Sequence, residues 1–286
     1  MVAMSRDPRL VRADLHSHSN VSDGELAPAD LVTRAQAKGV ELFALTDHDE
    51  LDGLAPASQT AAALGLAFVP GVEISVTWGG TTVHIVGLGI DACNADLQAG
   101  LAHVRSGRWR RAREMGEQLE AIGISGAFEG ALAHADNADM VSRTHFARYL
   151  VDTGVCRDLR EVFSKYLSEG KPGFVAHRWA GLAQAVEWIQ GAGGVAVLAH
   201  PGRYKLNELA MHELMREFKA AGGLALEVST SNHSRAQIEI YAQAARDFGF
   251  EASVGSDFHA PGESLAELGC AAPLPTDLTP VWHRFV

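Results

Sequence analysis

Asp14-Leu15-His16-Ser17-His18 sets two imidazoles one residue apart, and Asp23 follows five residues later. In an extended segment alternate side chains share a face, so His16 and His18 point the same way. Two imidazoles on one face begin a site for a divalent cation. The pattern recurs along the chain. His48 follows the apolar run Glu41 to Thr46, Glu73 comes just after Pro70-Gly71, and His84 lies inside Thr81 to Ile90. His200 ends Val195 to Ala199, while Asp257 and His259 follow Glu251 to Gly255. The candidate ligands are therefore His16, His18, Asp23, His48, Glu73, His84, His200, Asp257 and His259. One ion takes about four to six ligands, so bridging carboxylates would let this set serve two or three ions. Nitrogen and oxygen ligation without sulfur suits manganese, zinc or iron(II) better than magnesium. Clustered cations neutralise a phosphate and make hydroxide available near neutral pH. A lone histidine such as His84 is more often structural. Repetition at successive strand ends is what turns the set into a site.

The elements that position these residues alternate. Arg12 to His18 reads as a short strand, and Pro28 to Lys38 as a helix with proline in its first turn and Gly39 as its stop. Glu41 to Thr46 is a buried strand and Gly53 to Leu64 a helix. Ala67 to Val76 is a strand broken by Pro70-Gly71, and Thr81 to Ile90 is another strand. Apolar strands alternating with helices predict a parallel sheet covered on its outer face. From about residue 101 to 177 the spacing predicts helices and no strand. Leu101, Val104, Ala112, Met115, Leu119 and Ile122 form one helical stripe, with further helices over Thr144 to Val151 and Leu159 to Leu167. Alternation then resumes with helices over Gly181 to Ala192, Leu206 to Ala221 and His233 to Phe248, and strands over Val195 to Ala199, Leu224 to Val228 and Glu251 to Gly255. The expectation is an α/β chain: a barrel formed by residues 1–100 and 178–286, with a helical insertion over 101–177 that forms part of the substrate pocket. Ligands at the C-terminal ends of strands are where such barrels keep their sites.

Bulk properties exclude several classes. A hydrophobic content of 47% with 21% charged residues is ordinary for a globular chain of 286 residues. The net charge of −11 argues against an extended nucleic-acid surface. No apolar run reaches the length of a membrane span, and the N-terminal segment lacks a signal-peptide core. Cys93, Cys156 and Cys270 are too scattered for a disulfide framework and read as small buried hydrophobes. A cytoplasmic location is the expectation.

The segments DLHSHSNVSDG, LTDHDELDG, PGVEIS, VHIVG, LAHPGR and GSDFH together resemble the polymerase-and-histidinol-phosphatase (PHP) superfamily of phosphoesterases. The resemblance covers both barrel halves. It implies a distorted (β/α)7 TIM-like barrel with a trinuclear centre, manganese first, zinc or iron(II) next. By that likeness His16, His18, Glu73 and Asp257 hold one ion, and Asp23, His48 and His259 the second. Glu73 bridges to the third, with His84 and His200. The segment SRTHFARYLVDTGV and the later VFSKYLSEGKPGFV resemble the branch that removes the 3′-phosphate from nucleoside 3′,5′-bisphosphates and trims short RNA from the 5′ end. The metal ligands are shared with histidinol-phosphate phosphatases and do not separate the two.

A second phosphate needs cations beyond the metals. Arg143 and Lys171 stand in the branch-like segments and are the first candidates. Arg108 and Arg111 share a helix face, and Arg203 follows His200 closely enough to reach the same site. His134 and His145 are candidates for base or ribose contacts. Each has a bland alternative, a solvated helix-face charge for the arginines and the lysine and a buried or surface side chain for the histidines, which is the usual fate of such residues. Trp109, Trp179 and Trp188 could stack on a base, but at helical spacing they read as core. No side chain is expected as the catalytic group beyond hydroxide held on the metals. The reading is a metal-dependent phosphomonoesterase acting on nucleotide bisphosphates such as adenosine 3′,5′-bisphosphate, or on short RNA 5′ ends. The alternatives are a histidinol-phosphate-type phosphatase, a barrel amidohydrolase and a non-catalytic nucleotide-binding module.

Overall fold

The computed structural model describes residues 11–264 and 266–286. The first ten residues of the expected barrel segment lie outside the described residues. Seven strands pair in chain order: β1 Ala13–Asp14, β2 Leu42–Leu45, β3 Ala67–Trp78, β4 Thr81–Leu88, β5 Val195–Leu198, β6 Ala225–Thr230 and β7 Glu251–Gly255. The chain past β7 runs beside the chain past β1: Leu15 N–H donates to Val254 O at 3.0 Å, His18 N–H to Phe258 O at 2.8 Å and Asp257 N–H to His16 O at 2.8 Å. These bonds close the barrel and bring the first and last ligand pairs side by side.

The sheet is not parallel throughout, as the alternation had predicted. β1–β2, β2–β3, β5–β6 and β6–β7 are parallel, but β4 runs antiparallel to both β3 and β5. The cause is the link between β3 and β4. Gly79 and Gly80 have φ of +54° and +81°, the left-handed pair that a two-residue hairpin turn requires. Two residues cannot carry the crossover that a parallel neighbour needs. Nor does Pro70-Gly71 break β3. Pro70 stands opposite Leu45, the last residue of β2, where the ladder ends and a missing N–H is tolerated. The reversal matters for chemistry. His84 lies early in β4, and because β4 runs backward that end meets the C-terminal ends of the parallel strands; His84 O accepts from Ala199 N–H at 3.1 Å.

Alternate strand residues serve two apolar layers. Leu42, Ala44, Val69, Val197 and Val254 fill the barrel interior with Trp282. Phe43, Leu45, Ile74, Leu198 and Leu226 meet the outer helices. Those helices are α1 Pro28–Ala37, α2 Leu54–Leu64, α3 Ala95–Ser106, α8 Leu182–Gly191, α9 Glu208–Ala220 and α10 Arg235–Phe248. Helices α4 Arg108–Ala121, α5 Ala127–Ala133, α6 Arg143–Asp152 and α7 Leu159–Val162, with the π-helical turn Phe163–Leu167, share a separate core around Met115, Leu119, Phe146 and Leu150. Leu97 and Leu101 of α3 lie in the barrel's outer layer, so the separate helical core begins after α3 rather than at residue 101. Cys156 is buried there, but Cys93 and Cys270 are exposed and are not the buried hydrophobes they read as.

Candidate metal centre and its arginine rim

The nine candidate ligands converge on one end of the barrel. Glu73 stands at the middle. Its Oε2 lies 3.3 Å from both His16 Nε2 and His18 Nε2 and 2.9 Å from His48 Nδ1; its Oε1 lies 2.9 Å from both His84 Nδ1 and His200 Nε2. Asp257 Oδ1 is 3.4 Å from His18 Nε2 and 3.6 Å from His16 Nε2. Asp23 Oδ1 is 3.4 Å from His259 Nε2 and 3.9 Å from His48 Nε2. Ligand atoms fall into four overlapping groups: His18, Asp23, His48 and His259; His16, His200 and Asp257; His16, His18 and Glu73; His48, Glu73 and His84.

Metal ions fit this donor set. His16 Nε2, both nitrogens of His18, His48 Nδ1, His84 Nδ1, His200 Nδ1, Asp23 Oδ1, Glu73 Oε2 and Asp257 Oδ1 are buried with no hydrogen-bond partner. Buried polar atoms without partners are costly, and so many aimed inward together call for cations between them. The charges agree. Burial opposes ionisation of Glu73, but His84, His48 and His16 outweigh it and hold its carboxyl well below the usual range. Burial likewise opposes the charge on Asp257 and on Asp23. Arg203 and His16 reverse that at Asp257, and His48 and His259 reverse it at Asp23. A chelator-treated sample should therefore gain stability when a divalent cation is restored. Binding to the folded chain alone is worth ~2.7 kcal/mol at a hundredfold excess over Kd, or roughly 5–10 °C in Tm. Differential scanning calorimetry with and without Mn2+ measures it, and an unchanged Tm would remove the cations from this site.

Carboxylates behind the ligands fix their places. Asp47 accepts from Ser19 N–H (2.8 Å), Ser19 Oγ (2.6 Å) and Ser22 Oγ (2.6 Å), pinning the loop that carries Asp23. Asp23 Oδ2 accepts from Ser142 Oγ at 3.1 Å and Thr144 Oγ1 at 2.9 Å, so the start of α6 grips a barrel ligand. Glu227 of β6 takes His16 Nδ1 at 2.8 Å.

Above the ligands the rim is cationic. Arg108, Arg111, Arg143 and Arg203 line one cavity with Asp23, His48, His84, His259, Phe163 and Trp179. Arg108 is held by Asp49 and by Ser75 Oγ at 3.2 Å. Arg203 Nη1 donates to Asp257 Oδ2 at 2.5 Å. Arg111 is buried, and burial with the charges of Arg143 and Arg108 depresses it to about 9. Burial also lowers Arg143, with Arg203 and Arg108 adding to the effect against Asp23. Guanidiniums crowded this way stay charged at neutral pH and favour an anion among them. Trp179 stacks beneath Arg108 and Arg111, 4.8 and 5.4 Å from its ring centre, while the guanidinium of Arg143 lies 5.9 Å from the ring of Phe163.

Three candidates are not brought to this cavity. Lys171 is exposed, on a turn closed by its own N–H to Ser168 O at 3.0 Å, and it does not line the cavity. His134 follows the end of α5, 3.4 Å from Asp152, and faces a different cavity with Glu25 and Arg148. His145 is a helix cap: its Nδ1 accepts from Ser142 N–H at 3.0 Å, and burial lowers its pKa to about 4. Asp49, Ser142, Thr144 and Glu227 were not singled out in the sequence. Their partners lie far away along the chain, although Ser142 did precede a helix start, the usual place of a cap.

Comparison with known proteins agrees with this geometry. The profile of the PHP domain matches residues 14–231. A 3′,5′-nucleoside bisphosphate phosphatase of Chromobacterium violaceum is 52% identical over 275 residues, 96% of each chain. A 5′-3′ exoribonuclease of Haemophilus influenzae is 42% identical over 272 residues, 95% of this chain and 98% of that one. The solved structure of an amidohydrolase from Chromobacterium violaceum, with bound sulfate and no metal, superposes with a TM-score of 0.94 at 51% identity over 96% of each chain.

Proposed function

The chain belongs to the PHP family, and from that premise we propose that it is a metal-dependent phosphomonoesterase that removes the 3′-phosphate of nucleoside 3′,5′-bisphosphates. The observation that carries the reading is the rim of four arginines beside the nine ligands, since a monophosphate would need the metals alone. By the family likeness His16, His18, Glu73 and Asp257 would hold one ion, Asp23, His48 and His259 a second, and Glu73, His84 and His200 a third, whereas the ligand atoms themselves group His84 with His48 and Glu73, and His200 with His16 and Asp257. Manganese is the first choice for this nitrogen and oxygen set, before zinc or iron(II). When bound, such cations neutralise phosphoryl oxygens and lower the pKa of coordinated water.

The chain's own groups do the selecting. Arg143 and Arg111 clamp the 5′-phosphate, and their mutual repulsion falls when the anion arrives. Arg108, buttressed by Asp49 and Trp179, fixes the wall behind it. Arg203, held on Asp257, sits where the rim meets the ligands and can reach the phosphate being removed. A nucleoside held by its 5′-phosphate presents the phosphorus on its 3′-oxygen to the ligands. In RNA carrying a 5′-phosphate the first internucleotide phosphorus occupies the same place. That chemistry, with the exoribonuclease likeness, supports 5′-end trimming of short RNA by the same site.

Phosphate release from a nucleoside 3′,5′-bisphosphate, a 5′-monophosphate and histidinol phosphate, with Mn2+ and with Zn2+, tests the reading. The bisphosphate is expected to be preferred at least ~10-fold, the worth of one charge-assisted contact. Equal rates would sink the second-phosphate clamp. Ammonia release from a nucleobase without phosphate release would favour the amidohydrolase reading instead. Tight nucleotide binding with no turnover would favour the non-catalytic module.

A further inference from the structure

Glu227 is almost fully buried, at 1% exposure, in the middle of the buried strand β6. Its two oxygens serve two different ligands. Oε1 lies 2.8 Å from His16 Nδ1, and Oε2 accepts the backbone N–H of His200 at 2.5 Å. His200 needs that support, because its backbone sits at φ +25°, ψ +58°, a region that side chains other than glycine rarely adopt. Gly255 makes room for the pair: a Cβ there would stand 2.3 Å from His16 Cβ and 3.1 Å from Glu227 Oε1. The turn after His200 is braced from the same side, since Gly202 N–H donates to His233 Nε2 at 3.0 Å and His233 Nδ1 lies 2.9 Å from Val228 O.

We propose that Glu227 is a positioning residue for the metal centre: one carboxylate sets the tautomer of His16 and the backbone turn of His200 together. A carboxylate only accepts, so His16 must carry its proton on Nδ1. Nε2 is then the nitrogen left for a cation, and it is the buried atom aimed at Glu73 and Asp257. A carboxylate behind a ligating imidazole fixes ring orientation and raises basicity, and its loss costs about 10–100-fold in metal affinity. Here the effect reaches two ligands at once. It extends to the rim as well, because Arg203 lies three residues past His200 on the same turn.

Glu227→Gln separates this role from simple space filling. The amide keeps the volume but has one acceptor and one donor end. If its oxygen faces His200 N–H, its NH2 faces His16 Nδ1 and drives the proton to Nε2, where a cation must bind. If its oxygen faces His16, two donors meet at His200. The inference rests on the metal-binding part of the proposed function and not on the substrate. The protein, stripped of metal, is titrated with Mn2+ against a chelating dye, and the histidine ring nitrogens of the Zn2+-loaded form are read by 15N NMR. Glu227→Gln is expected to bind Mn2+ about 10–100-fold more weakly than wild type. Glu227→Asp, which keeps the charge but is one methylene short, should fall between the two. With the site loaded by diamagnetic Zn2+, wild-type His16 should keep its proton on Nδ1, a readout that needs no variant to fold. Wild-type affinity in both variants, or a His16 that carries its only proton on Nε2 in the Zn2+-loaded wild type, would overturn the role of Glu227. A wild type that takes up no Mn2+ would overturn the metal reading itself, and this inference with it.

Discussion

Replacing Glu73 with Gln should lower kcat/KM for phosphate release by about 10³-fold, with the fold intact. Among the described residues, Glu73 is the one whose two oxygens face five of the candidate imidazoles, those of His16, His18, His48, His84 and His200. No other side chain in the set could bridge ions so widely. Charge stabilisation by clustered cations is worth several kcal/mol at the transition state, and each 1.36 kcal/mol is tenfold in rate. Losing about 4 kcal/mol of it gives ~10³. Glu73→Gln preserves shape and β3 pairing but removes the negative charge that draws cations together. Steady-state kinetics with the metal content of the same preparation decides it. A variant within ~10-fold of wild type would mean that Glu73 is not the bridge.

Arg143→Ala should raise KM for a 3′,5′-bisphosphate by about 10–100-fold, while an aryl phosphate with no second anion changes by less than ~3-fold. A charge-assisted hydrogen bond is worth about 1.5–3 kcal/mol, which sets that range. Arg143 opens on the cavity from the first turn of α6, next to Thr144, which holds Asp23. The control substrate matters for that reason. If removing Arg143 only disturbed Thr144 and hence Asp23, both substrates would suffer alike. Equal losses would therefore sink the clamp and leave a purely structural arginine. Arg143→Lys should fall between, since an ammonium keeps the charge but not the planar fork.

The cluster of candidate ligands was legible because its residues carry local marks. His16 and His18 are spaced for one face of a strand, and His48, His200 and Asp257 each follow an apolar run that could only be a buried strand. The direction of β4 was legible too but was passed over: Gly79-Gly80 between two alternating segments is a hairpin signal, and it outweighs the βα rhythm around it. Lys171 and His134 were misplaced for a different reason. Being near a motif in sequence fixes neither the phase of a helix nor the side on which a turn leaves it. Only packing of the helical core around Met115 and Phe146 decides which cations face the ligands: Arg108, Arg111 and Arg143 do.

The order of residues alone carries the residue types at strand ends that suit divalent cations, the family those residues mark, and the run of helices between β4 and β5. Tertiary structure decided the connections. Glu227 stands behind His16 across 211 residues, Arg108 on Asp49 across 59, and Ser142 on Asp23 across 119. Hydrogen bonds over such separations leave no period or spacing in the chain. They exist because closing the barrel and docking the helical layer bring these buried groups within reach of one another, where each must find a partner.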